Sequence, residues 1–261
     1  MKKTMLALVA AAAGLLSATE YPLTQSADFL GKPRNVAVKE NGITEVKNMA
    51  NLYSAQTFDF VPGKRYTVSG EFRQTAGEKP SVFYFGFQPL DKKNRMILVS
   101  NTLSMPGTDT EVVEDSPKGS KLIKVKDASK WNKGWRIFYN TDPSGKDLPN
   151  FCGIINPIAA IEKKGDIWHI TMTRPQLVDL KKGMFVRQHN AGGAMYPAAV
   201  ASRMGKDWKK FTGSAIGIFP GRGYSSVTFP TGTVKIRMIL FLNYGAKGSV
   251  TEFRNLKFSM K

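Results

Sequence analysis

The chain has 261 residues, and its 38 lysines and arginines against 20 aspartates and glutamates give a formal charge of +18. A single cysteine excludes an intrachain disulfide, and two histidines exclude a three-histidine metal site. A charge of this size attracts polyanions and says nothing about the fold.

The N-terminal order is Lys2-Lys3, an apolar run over 5–16, then the small residues Ser17-Ala18. It predicts a secretory signal peptide over residues 1–18. The run is shorter than the about 20 apolar residues of a membrane-spanning helix, so no transmembrane segment is expected after cleavage. Residues 19–261 are then expected to be secreted or periplasmic. Their glycines and prolines separate short alternating runs, the pattern of an all-β sandwich or barrel. Phe58 and Phe60 alternate with polar neighbours, and after the turn Pro62-Gly63-Lys64 the residues Tyr66, Val68, Gly70 and Phe72 share a face. Phe83, Phe85 and Phe87 line one face of the next strand, Val82 and Tyr84 the other.

The stretch 100–130 is polar, with a turn, a strand and a turn over 118–131, and 135–139 and 167–172 supply two more strands. Residues 101–200 are expected to form a β-rich insertion in a sandwich built from the flanking parts. The segment 195–204, with Pro197 near its start, is the one place where a short helix is predicted. Val234, Ile236, Met238, Leu240 and Leu242 keep strict period two, with Lys235, Arg237, Ile239, Phe241 and Asn243 on the opposite face. The last strand, 250–260, changes apolar parity between Phe253 and Leu256, which predicts a bulge there. Cys152 sits among apolar neighbours and is read as a buried, unreactive thiol.

Three stretches resemble jelly-roll carbohydrate-binding modules. Phe60-Val61-Pro62-Gly63-Lys64-Arg65-Tyr66-Thr67-Val68-Ser69-Gly70-Glu71-Phe72-Arg73 is similar to their opening strands. Phe85-Gly86-Phe87 followed by Asp91-Lys92-Lys93-Asn94 is similar to their next strand and hairpin. Glu252-Phe253-Arg254-Asn255-Leu256-Lys257-Phe258 is similar to their last strand, with Arg254 where an aspartate is more usual. The resemblance implies a jelly-roll-type β-sandwich of antiparallel strands that binds sugar on a concave sheet face or at loop tips. Residues 118–131 are also similar to small β subdomains of extracellular polysaccharide-processing proteins.

Sugar rings stack on flat side chains, which makes Trp131, Trp135, Trp208, Tyr84, Tyr139, Tyr196 and Tyr244 candidates; most aromatics of a β protein are core, so two or three should face ligand. On a strand, Phe185, Arg187 and His189 point to one face. Arginine clamps a carboxylate at two points, and histidine and tyrosine pass protons. Arg187, His189 and Tyr196 would therefore suit a polysaccharide lyase acting by β-elimination on a uronic-acid polymer, with Arg73 joining if its strand is adjacent. The competing role for Arg187 and His189 is local hydrogen bonding at a strand end. The ligand-binding set is Trp131, Trp135, Trp208, Tyr84, Arg73, Arg187 and His189. Asp109, Glu111, Glu114 and Asp115 are candidate oxygen ligands for a structural calcium, or simply solvated loop charge. No other cofactor is expected. Three functions follow in order: a non-catalytic protein binding an extracellular, acidic polysaccharide; the lyase; and a structural or adhesive envelope protein. The export signal argues against a nucleic-acid partner.

Overall fold

Side chains of a strand alternate between faces, so the period-two rows of this sequence bury one row and leave the other for solvent or a partner. A computed structural model describes residues 19–23, 25–31 and 33–261. The expected signal peptide, residues 1–18, lies outside them. The chain runs through β1 (Thr19–Pro22), β2 (Val36–Val38), β3 (Thr44–Lys47), β4 (Ala50–Tyr53), β5 (Phe58–Asp59), β6 (Arg65–Ala76) and β7 (Val82–Leu90). The helical turn α1 (Val99–Thr102) leads into β8 (Thr110–Glu111), β9 (Leu122–Val125), β10 (Arg136–Tyr139) and β11 (Gly153–Ile154). Then come β12 (Ile158–Lys164), β13 (Ile167–Met172), β14 (Phe185–His189), β15 (Met195–Arg203), β16 (Lys209–Ile216), β17 (Lys235–Tyr244) and β18 (Val250–Met260).

Two antiparallel sheets form a sandwich, as the periodicity predicts. One is six-stranded, in the order β16-β6-β18-β3-β2, with β1 also on β18. The other is five-stranded, in the order β15-β7-β17-β4, with β5 also on β17. Val68, Phe72, Phe253 and Phe258 of the first sheet meet Phe83, Phe85, Phe87, Met238 and Leu240 of the second in one buried cluster. Each buried phenylalanine contributes about 1.5–3 kcal/mol relative to exposure. Val234, which the alternation also places inward, precedes β17 and is exposed.

Two asparagines in the left-handed region re-aim these central strands. Asn255 (φ 51) produces the register shift between Arg254 and Lys257 on β6, the bulge the parity change predicts. Asn243 (φ 58) produces a second shift, between Phe241 and Tyr244 on β7, which the sequence does not announce. Asn tolerates this conformation better than most residues. Its side chain fixes the kink: Asn243 Nδ2 donates to Val46 O at 3.1 Å and Asn48 O at 2.8 Å, and its Oδ1 accepts from Thr251 Oγ1 at 2.7 Å.

Strands β8–β14 pair with one another in two smaller sheets, β11-β10-β14-β8 and β12-β13-β9. They enclose a separate core that includes Ile123, Val125, Ile137, Ile170, Leu180 and Val186. The chain leaves the sandwich after β7 and re-enters it at Met195, ahead of the boundary near 200 read from the sequence. The predicted helix over 195–204 is the edge strand β15 instead, paired with β7. Edge pairing overrides the local helical preference, and Pro197 sits in a register shift, where its missing N–H is harmless. Gly86 of β7 is required there, because a Cβ would stand 2.0 Å from Met195 O. Arg222, in the loop between β16 and β17, ties the two units together through Ser104 Oγ at 2.8 Å, Pro143 O at 3.0 Å and Asp109. Among the described residues no helix is long and apolar enough to cross a membrane.

Candidate functional site

The sequence points to three places, and the geometry treats them differently. Arg187 and His189 do share a face of β14, but both are 0% exposed. Arg187 makes four hydrogen bonds: Nε to His189 Nε2 at 2.8 Å, Nη1 to Asp142 O at 3.0 Å and Asp147 Oδ1 at 3.1 Å, and Nη2 to Asp147 Oδ2 at 2.7 Å. His189 Nδ1 lies 2.7 Å from Ser100 O. A carbonyl only accepts, so Nδ1 carries the proton and Nε2 is free to accept from Arg187. Phe138 stacks on the imidazole with centroids 4.1 Å apart. Burial, reinforced by the Arg187 charge against the hydrogen bond to Ser100, lowers His189 to about 4. Burial raises Asp147, but hydrogen bonds from Asn150, Arg187 and the Asp142 N–H outweigh it and hold the carboxyl below its ordinary value. The expected ligand face is therefore an internal, satisfied network, and a polymer cannot reach it.

Tyr196, the third member of the expected lyase set, does not join this network. It sits on β15 with its ring 5.1 Å from Tyr84. Burial pushes its hydroxyl up to about 12, opposed by the hydrogen bond from Ala194 N–H. It stays protonated at neutral pH and is no base. Trp131 is also withdrawn: it is buried in the second core, with Nε1 donating to Thr108 O at 2.9 Å. Trp135 lies half-buried in the turn before β10, and Tyr139 packs against the second core. Cys152 is free and half-buried rather than buried.

Trp208 and Arg73 lie on the outer face of the six-stranded sheet. The guanidinium carbons of Arg73 and Arg254 stand 4.6 and 4.4 Å from the Trp208 ring centroid. Both arginines are already neutralised, Arg73 by Glu252 at 2.6 Å and Arg254 by Glu71 at 2.7 Å. Glu252 also takes Lys39 at 2.7 Å, and Lys39 pairs with Glu45. Both arginines of this face are thus matched within the protein.

The outer face of the five-stranded sheet is different. Register sets Tyr53 of β4 beside Ile239, and Phe241 of β17 beside Tyr84 of β7. Tyr84 lies 6.2 Å from Phe241, 6.1 Å from Tyr244 and 5.1 Å from Tyr196, and Tyr196 lies 6.0 Å from Phe241. Tyr244 is 53% exposed, because the Asn243 kink turns it out of the inward row. The other rings are half-buried. Arg237, opposite Gln88, lies with its guanidinium carbon 4.8 Å from the Tyr53 centroid. Burial disfavours its charge and lowers its pKa. Its Nε is buried without a hydrogen-bond partner, and it has no ion pair among the described residues.

Three of the seven aromatic candidates, Tyr84, Tyr196 and Tyr244, thus meet on one face, and Trp208 lies on the opposite side of the sandwich. Sequence reasoning missed Tyr53, Phe241 and Arg237 as site residues. The signal for two of them was present in the outward row that holds Arg237 and Phe241. Three of the four acidic residues read as a calcium candidate pair with separate cations: Asp109 faces Arg222 and Arg187, Glu114 pairs with Lys124, and Asp115 with Lys181. Among the described residues no group of three or more histidine, cysteine or acidic side chains is placed to hold a metal ion. No family model and no curated protein matches the chain.

Proposed function

We propose that this protein binds an acidic polysaccharide outside the cell, without catalysis, on the outer face of its five-stranded sheet. Half-exposed tyrosines offer flat apolar surface for sugar C–H faces together with hydroxyls that hydrogen-bond sugar oxygens. The observation that carries the reading is Arg237, a half-buried guanidinium on Tyr53 with no ion pair among the described residues. The Nε itself is shut off from solvent, but the rest of this half-buried guanidinium is unpaired among the described residues, and a carboxylate or sulfate on the sugar would meet it with a charge-assisted bond. The charge of +18 adds a field that gathers polyanions.

Isothermal titration against polygalacturonate, dextran sulfate and neutral dextran tests this. Binding to at least one anionic polymer, weakened by salt, is expected. Arg237→Met should reduce that affinity roughly 10- to 100-fold, the worth of one hydrogen bond to a charged group. No binding to any polymer overturns the proposal, and binding to neutral dextran alone removes the acidic ligand.

A further inference from the structure

At the end of the tyrosine face the turn between β6 and β7, the turn between β17 and β18 and the end of β15 enclose a cleft of about 430 Å³. Tyr244 forms one side of it, so the cleft opens directly beside the aromatic surface. Lys79, Arg203 and Lys247 line it, against one carboxylate, Glu78. All three cations are exposed, and none is ion-paired among the described residues. Ser249 completes the lining, 1% exposed and with its hydroxyl unpartnered.

Arg237 and Tyr244 lie seven positions apart on β17, a span of roughly 23 Å at about 3.3 Å per residue. Uncompensated positive charge thus stands at both ends of a row of rings. Without the Asn243 kink, parity would bury Tyr244 with Leu242 and leave the row and the cleft unconnected. We infer that the glycan track runs from Arg237 across Phe241, Tyr84 and Tyr244 into this cleft, where Lys79, Arg203 and Lys247 take a second anionic substituent of the same chain. This rests on the polysaccharide reading of the tyrosine face and adds a ligand length and a charge at each end. The ligand class is a linear polyanionic glycan several sugars long, its acidic groups being carboxylates or sulfate esters.

The test compares short and long oligogalacturonates, and short and long sulfated dextran oligomers, on the intact protein and two variants. One is the triple variant Lys79→Gln, Arg203→Gln, Lys247→Gln; the other is Tyr244→Ala. The altered side chains are exposed, and unchanged thermal unfolding verifies the fold. The wild type should prefer long over short oligomers. The triple variant should lose at least about 10-fold in affinity for the long oligomer and nothing for the short one, one charged hydrogen bond being enough for that loss. Tyr244→Ala should lower the same preference. Loss confined to the galacturonates assigns the cleft to carboxylate, and loss confined to the sulfated oligomers assigns it to sulfate. A triple variant that keeps the wild-type length preference overturns the cleft while leaving the tyrosine face intact. A wild type that binds neither charged series overturns both.

Discussion

Arg187 and Arg237 are both withdrawn from solvent, yet they sit in opposite electrostatic situations. Arg187, in the second unit, is fully buried and meets both carboxylate oxygens of Asp147, with His189 and Asp142 O taking further donors. Arg237, on the face of the five-stranded sheet, rests on one aromatic ring and has an orphan Nε. A buried cation that is matched internally holds a structure together, and a cation left unmatched near the surface is an opening for a ligand. The residue type is the same, and the partners decide the role.

The sharpest way to break this comparison is to remove the match. Asp147→Ala removes the carboxylate hydrogen-bonded to buried Arg187 and leaves only Asp109, 3.8 Å away and shared with Arg222, and breaking such a pair costs about 3–5 kcal/mol. Urea denaturation should show that loss. Arg237→Met should leave the midpoint essentially in place while weakening glycan binding. Equal stability for wild type and Asp147→Ala would mean that the network is ornamental and that Arg187 differs little from Arg237.

A smaller effect comes from pH. His189 is neutral in the fold, with a pKa of about 4 against about 6.5 unfolded. Its folded value is depressed, so the unfolded chain takes up the proton first as pH falls. Stability should be full above about pH 6.5, decline between about 6.5 and 4, and level off below that for this group, a total of about 3 kcal/mol. Asp147 is also depressed and adds a further loss at lower pH. His189→Asn should flatten the decline between about pH 6.5 and 4, read as the urea midpoint against pH. An unchanged slope in that variant would place the titrating group elsewhere.

Much of the sandwich was legible because its rows are long and strictly periodic: Ile236 to Leu242 and Phe83 to Phe87 face the core as their parity predicts. Even the bulge at Asn255 left a parity change in the sequence. Residues 195–204 were misread because proline and alanine at a sheet edge look like a helix start when the pairing strand is more than a hundred positions upstream. The site was only half legible. An arginine two residues before a histidine on a strand signals a shared face, which is correct, but periodicity carries no information on whether that face is open. Whether Arg187 meets Asp147, 40 positions away, or a ligand is decided by tertiary contacts. The same limit hid Arg237, whose distinction is a partner it lacks. Tyr244 could not be placed outward from parity, since the kink that turns it depends on Asn243 reaching Val46 and Asn48.

The smallest expected effect concerns the other face of the sandwich. Arg73 is half-exposed, pairs with Glu252 and lies against Trp208. Glu252 keeps Lys39 when Arg73 is removed, so no carboxylate is stranded. Arg73→Ala should therefore cost about 1 kcal/mol or less, the range of an exposed ion pair. Its glycan affinity should match the wild type, because Arg73 and Arg254 are already paired within the protein. Trp208→Ala should behave alike in binding. If titration with the anionic polymers instead shows Arg73→Ala and Trp208→Ala weakened as strongly as Arg237→Met, the ligand lies across the six-stranded sheet. Internal pairing would then be no guide to which arginine is available.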